Sequence, residues 1–269
     1  MVELGNKFYI SNKMKNISIT TIVENSCMMY KVLAQHWVSF LINYWDNQYL
    51  FDCWQIFDWL DNNLKEFNIN QKKLTGIIIS HDHYDHCASL SECIKKYNRK
   101  NVIVPSDFKR VSSKEIKKIS KPYEIEKWLW TTWSLNGKDI KEQSIIIDLW
   151  KKWLVIVVWC SHPWIKTIVE KSKKITKNNK ILWIIWWLHL ADSKKKTIDE
   201  TWKYLKSLNT KFICPWHCTW TQAIFTLQQL MPNEIKVWVS GSIWVWNRVI
   251  TSPILKIETK NYFPFDANK

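Results

Sequence analysis

The stretch that most constrains this 269-residue chain is Ser80-His81-Asp82-His83-Tyr84-Asp85-His86-Cys87. Its histidines and aspartates are packed into a few consecutive residues. It follows Thr75-Gly76-Ile77-Ile78-Ile79, an apolar run with the length of a buried strand. A strand that ends in imidazoles and carboxylates sets them where the chain turns, and sites on α/β scaffolds are built at strand ends. Such donors suit zinc, iron or manganese. His81 and His83, two residues apart, can face one ion, and Asp85 and His86 can face a second. The pattern therefore predicts the first half of a two-metal site. Two divalent cations would make a shared water acidic enough to act as a nucleophile near neutral pH.

The second half is expected at later strand ends. The apolar runs 154–158, 181–185 and 212–214 lead into Cys160-Ser161-His162-Pro163, Trp186-Trp187-Leu188-His189 and Pro215-Trp216-His217-Cys218. The candidate ligands are thus His81, His83, Asp85, His86, His162, His189 and His217. Asp85 and His189 are also the candidates for catalysis, and Asp192 competes with His189 as a ligand. Asp52 ends the short strand 49–51 and could orient a ligand histidine through its second nitrogen. His36 is read as a supporting residue, and Cys160 and Cys218 as packing residues.

Charge narrows the function less than its size suggests. The net charge is +15, yet only three of the 39 basic residues are arginine (Arg99, Arg110 and Arg248). Arginine's planar fork is the favoured phosphate reader, so the lysine-rich stretches are read as solvated surface. Nucleic acid is an unfavoured partner, whereas a small anionic or phosphorylated substrate suits a basic surface. No apolar run reaches the roughly 18 residues of a membrane span. Residues 1–15 lack the apolar stretch of a signal peptide, which points to the cytoplasm. Seven scattered cysteines, with no C-x-x-C pair, read as reduced thiols.

Twenty Trp stand against four Gly. Average usage predicts about 19 glycines in such a chain, and Gly and Trp together come close to that. Many Trp also stand where a turn calls for glycine, as in Asp52-Cys53-Trp54, Pro163-Trp164 and Pro215-Trp216. The expectation is that many of these positions are glycine in the native protein. UGA lies one base from the glycine codon GGA, and a gene that reads UGA as glycine would give this pattern under a UGA-as-Trp table.

In order, residues 1–16 read as a lead-in and 17–269 as a single domain. Strands are expected at 17–24, 38–42 and 49–51, a helix at 56–67, and the strand 74–80 that delivers the cluster. Residues 105–143 read as an inserted flap, helical in part. Strands at 144–149, 154–158, 181–185, 212–214, 235–240 and 254–257 follow, with helices from 165, 197 and 221. This order suggests an α/β chain with two sheets sandwiched between helices.

The motifs resemble those of the metallo-β-lactamase fold. With Trp read as Gly, the resemblance runs over roughly 18–247. It includes Gln35-His36-Trp37-Val38-Ser39-Phe40-Leu41-Ile42, Phe51-Asp52-Cys53-Trp54-Gln55, Thr131-Thr132-Trp133 and Glu142-Gln143-Ser144. It continues through Trp159-Cys160-Ser161-His162-Pro163-Trp164-Ile165, Trp186-Trp187-Leu188-His189-Leu190 and Pro215-Trp216-His217-Cys218-Thr219-Trp220. These are similar to the branch of 7,8-dihydropterin-6-yl-methyl-4-(β-D-ribofuranosyl)aminobenzene 5′-phosphate synthases. The resemblance implies an αββα four-layer sandwich holding two divalent ions, zinc first with iron or manganese as alternatives. It implies His81, His83 and His162 on one ion, and Asp85, His86 and His217 on the other. The usual bridging Asp is replaced by His189, with Asp192 nearby. The expected activity is hydrolysis of an ester or phosphoester. The alternatives are a synthase-type transfer releasing pyrophosphate and a metal-dependent nuclease or nucleic-acid binder.

Overall fold

A computed structural model describes residues 17–27, 29–35, 38–97, 101–187, 195–216, 221–235, 240, 242–245 and 248–250. The strands β1 (Ile17–Val23), β2 (Ser39–Tyr44) and β3 (Asn47–Phe51) form an antiparallel meander, followed by α1 (Phe57–Glu66) and β4 (Leu74–Ile78). The turn α2 (Tyr84–Cys87) and α3 (Leu90–Tyr97) lead to β5 (Val102–Pro105). Five short strands come next: β6 (Ile116–Ile119), β7 (Tyr123–Glu126), β8 (Leu129–Thr131), β9 (Leu135–Asn136) and β10 (Lys141–Glu142). The second half holds β11 (Ile145–Leu149), β12 (Trp153–Val157), α4 (Ile165–Thr176), β13 (Ile181–Trp187), α5 (Lys195–Ser207), β14 (Phe212–Trp216) and α6 (Thr221–Leu230). The strands β15 (Ile243–Val245) and β16 (Arg248–Ile250) close the described chain.

The strands sort into an eight-stranded sheet, β16-β15-β1-β2-β3-β4-β5-β6, a six-stranded sheet, β14-β13-β12-β11-β8-β7, and a two-stranded pair, β10-β9. Alternation along each strand dictates the layering, because successive side chains leave a strand on opposite faces. On β11 and β12, Ile145, Ile147, Val155 and Val157 join Phe40, Phe51 and Ile78 of the other sheet in a shared core. Their neighbours Ile146, Leu154 and Ile156 pack with Ile168 and Val169 of α4, Leu205 of α5 and Leu227 of α6. On β4, Ile78 faces the shared core while Ile77 packs with Leu60 and Leu64 of α1 and with Leu90 of α3. The result is helix, sheet, sheet, helix. Each buried Ile or Val in these layers contributes about 1.5–3 kcal/mol relative to exposure.

β4 runs parallel to β3 and β5, and β12, β13 and β14 run parallel to one another. Both parallel blocks end beside the histidine-bearing turns.

Residues 105–143 depart from the expected partly helical flap. The described chain there carries strands and no helix, with β6 on the edge of the larger sheet and β7 and β8 in the smaller. Period-two burial overrides the lysine content, since Ile119 and Leu129 join the shared core and Tyr123 and Ile125 pack against it. Of the strand expected at 235–240, Ile235 makes an isolated bridge to Ile213 and Ser240 one to Cys27; residues 236–239 lie outside the described chain. The strand expected at 254–257 and the lead-in 1–16 also lie outside the described residues.

Among the described residues, six Trp have left-handed backbone: Trp45 (φ 58°), Trp54 (64°), Trp128 (74°), Trp133 (75°), Trp150 (55°) and Trp164 (68°). An L-residue in that region costs about 1–2 kcal/mol, and glycine enters it freely. Trp54 is also fully buried with its indole N–H unbonded, a further cost of about 1–3 kcal/mol. Among the described residues, Trp159 and Trp183 are ordinary core residues. Trp159 stacks on Phe40 with ring centroids 4.7 Å apart.

Candidate metal centre

The chain leaves β4 at Ile78, and the backbone then threads between groups that fix each histidine. Asp52, completely buried at the end of β3, is the hub. Its Oδ1 accepts from the Ser80 backbone N–H at 2.6 Å, and its Oδ2 accepts from the Ser80 hydroxyl at 2.6 Å. Its Oδ2 also lies 2.6 Å from His86 Nδ1. That contact places the His86 Nδ1 proton toward Asp52 and leaves Nε2 facing the site. The Ser80 hydroxyl lies 2.8 Å from His81 Nδ1. Since that hydroxyl already donates to Asp52, it accepts from His81, and His81 likewise presents Nε2.

The presented atoms converge. His81 Nε2 and His83 Nδ1 are 3.0 Å apart. Two nitrogens each bonded at about 2.0–2.1 Å to one ion stand roughly 3 Å apart. The donor atoms of His81, His83 and His162 lie within 4.8 Å of one another, as do those of His81, His86 and Cys160. Asp85 Oδ2 is 2.7 Å from His86 Nε2. An imidazole, carboxylate and thiol donor set of this spacing fits a divalent transition ion. His81 and His86 are buried, whereas His83 is exposed and His162 half-buried, so the centre opens on the His83 side. There it meets a cleft of about 350 Å³ lined by His83, Ser161, His162, Trp164, Lys138 and Asp139.

Among the protein's own groups in the centre, charge is concentrated at His86. Burial alone would lower its pKa, but the Asp52 and then the Asp85 carboxylates outweigh that and raise it to about 10. Burial would raise Asp85, and the hydrogen bond and charge of His86 instead hold it below the usual carboxylate range.

Two residues whose role the motifs did not reveal tie the halves together. Glu142, on β10 and buried, accepts from the backbone N–H groups of Ser161 at 3.2 Å and His162 at 2.9 Å. Burial raises its pKa to about 7 against those hydrogen bonds. Gln143 donates from its backbone to Ser80 O at 2.9 Å and from its side chain to Ile79 O at 2.6 Å. Consecutive residues thus hold the His162 turn and the end of the strand bearing His81. In the sequence they stood out only as the Glu142-Gln143-Ser144 motif, with no role attached. Gly137 permits the close fit, because a Cβ there would meet His162 Cβ and Ile140 O at 2.6 Å.

The structure brings together His81, His83, Asp85, His86 and His162, with Asp52 behind His86. His36, His189, Asp192 and His217 lie outside the described residues.

Two packed sheets with helices on both outer faces match known structures. One is a metal-dependent hydrolase of the β-lactamase superfamily, with TM-score 0.67 and 20% identity, covering 85% of this chain and 98% of that one. The chain has the metallo-β-lactamase fold. A second structure with this fold, the protein YhfI from Bacillus subtilis, matches with TM-score 0.59 and 14% identity over 85% of this chain and 99% of that one. Among curated proteins, the chain is similar to 7,8-dihydropterin-6-methyl-4-(β-D-ribofuranosyl)-aminobenzene-5′-phosphate synthase of Methanocaldococcus jannaschii. That relative is 28% identical, with 77% of this chain and 89% of the relative covered. No family model matches the chain.

Proposed function

We propose that the protein is a metal-dependent hydrolase of ester or phosphoester bonds in a small anionic substrate. The observation that carries this is the convergence of His81, His83 and His162, beside Asp85 and His86, at the strand ends of a metallo-β-lactamase fold. His81, His83 and His162 would hold one divalent ion, and Asp85 and His86, with His217, the other. Bound ions supply Lewis-acid charge and an activated water, with zinc first and iron or manganese as alternatives. Asp52 and Ser80 keep His86 and His81 in the ligating tautomer, Glu142 holds the His162 turn, and Lys138 at the cleft rim favours an anion. Asp85, held as a carboxylate, is placed to orient the attacking water. His189 is proposed as its catalytic partner.

A second reading, a synthase-type transfer that releases pyrophosphate, is favoured by the 28%-identical relative. Metal analysis followed by assays with phosphodiester, lactone and pterin-pyrophosphate plus arylamine substrates separates the two. Metal uptake with turnover of a phosphodiester or lactone supports hydrolysis; turnover of the pterin substrate alone supports transfer. Product from none overturns both. His83→Ala and Asp85→Ala should lose metal and drop activity to background. Tight RNA or DNA binding at physiological salt would count against a small substrate.

The Trp excess belongs to the same reading. Trp54, Trp133 and Trp164 flank the site motifs, and their left-handed backbone supports glycine at those positions in the native protein. Intact mass of protein from the native host decides it. A mass equal to that of the printed sequence would remove the idea.

A further inference from the structure

We propose that Cys160 supplies a thiolate to the ion held by His86, making that half of the centre a nitrogen, oxygen and sulfur set. This rests on the metal-centre reading above and extends it to a residue that reading leaves out.

The geometry is specific. The Asp52 contact ties up His86 Nδ1, so Nε2 is the atom offered to the site. Cys160 Sγ lies 3.4 Å from that Nε2. Two ligands on one tetrahedral ion, with bonds of about 2.0–2.1 Å to nitrogen and about 2.3 Å to sulfur, stand roughly 3.5 Å apart. Asp85 Oδ2 approaches the same Nε2 at 2.7 Å. His81 stands between the two halves, its ring centroid 4.0 Å from His86 and 4.8 Å from His162. Cys160 and His162 leave the same strand end two residues apart. One turn therefore serves both halves, with His162 beside His83 and Cys160 beside His86.

Neighbouring thiols are engaged differently. Cys87 Sγ donates to His83 O at 3.0 Å, and Cys53 pairs with Cys93 in the helix layer. On metal binding the Cys160 S–H bond breaks, its proton passes to solvent, and a sulfur lone pair forms the metal bond. No electron is transferred. A thiolate selects zinc or iron over manganese or magnesium.

The test is X-ray absorption at the zinc edge on full-length protein whose zinc content has been measured. The expected result is a sulfur scatterer at about 2.3 Å that is lost in Cys160→Ser and retained in Cys93→Ser. With cobalt in place of zinc, the near-ultraviolet sulfur-to-cobalt charge-transfer band should vanish in the same variant. A nitrogen and oxygen shell alone in zinc-loaded wild type overturns the inference but leaves the metal centre standing. A sulfur shell that survives Cys160→Ser also overturns it. Failure of the wild type to take up zinc overturns both readings. Should Cys160→Ser not fold, Cys218→Ser decides: retention of the sulfur shell supports Cys160, and its loss overturns the assignment.

Discussion

At Asp52 a single buried carboxylate holds three pieces of the centre: the Ser80 backbone, the Ser80 hydroxyl and the His86 ring. Asp52→Asn keeps the shape and removes the charge that fixes His86 with Nε2 outward. Loss of such an outer partner typically weakens metal affinity about 10- to 100-fold. A zinc isotherm with a competing chelator measures this, and unchanged affinity would mean that His86 is oriented by something else. Asp52 was legible in the sequence because it ends a strand just before a helix. Glu142 was legible only as part of a motif. Its partners are the backbone N–H groups of Ser161 and His162, a contact that forms only once β10 lies beside the turn after β12. Glu142→Ala leaves those two donors without their acceptor and should cost about 2–4 kcal/mol, read by denaturant unfolding.

Among the elements, α4 shows how local backbone and sequence disagree. Its N-cap is Trp164, with φ 68° and ψ 136°, no side-chain cap, and an exposed side chain. Trp164→Gly removes left-handed strain and little packing. It should stabilise the fold by about 1 kcal/mol, a rise of roughly 2–4 °C in melting temperature for a chain of this size. A lower melting temperature would show that the indole contributes more than the strain costs. Trp54 is a poorer probe because it fills buried space. Helix α1 was legible from its apolar spacing, and strands β4, β11 and β12 as short continuous apolar runs bounded by turns. The short strands β6 to β10 were obscured by lysines, and their alternation becomes clear only against the two sheets that bury Ile119 and Leu129.

For the whole molecule, buried acids set the pH response. Burial raises both Glu24 and Glu142 from 4.5 to about 7. A carboxyl that is harder to ionise in the fold favours the folded state at low pH and loses that advantage as pH rises from about 4.5 through 7. His86, raised to about 10, contributes stability below about 6.5 that fades as pH rises through 10. Both trends run the same way, so metal-free protein should lose stability between pH 5 and 8. Glu142→Gln should remove a share of that slope, on the order of 3 kcal/mol across the window. Urea unfolding at several pH values measures it, and an unchanged slope would assign the effect elsewhere. Metal uptake must displace the His86 proton, so affinity should rise with pH by up to about tenfold per unit.

The sequence by itself determined the chemistry on offer and the strand ends that carry it. Three imidazoles and two carboxylates in one turn, and later histidines after apolar runs, follow from composition and period alone. It also exposed the Trp excess, because residue counts need no coordinates. Tertiary structure decided which donor atoms face one another. Tautomers follow from Asp52 and Ser80, the His162 turn from Glu142, and the approach of Cys160 to His86 from the packing of two sheets whose strands are far apart in sequence. Contacts between distant segments have no local period, so no sequence pattern announces them, and a cysteine read as packing can stand within bonding reach of a metal ligand.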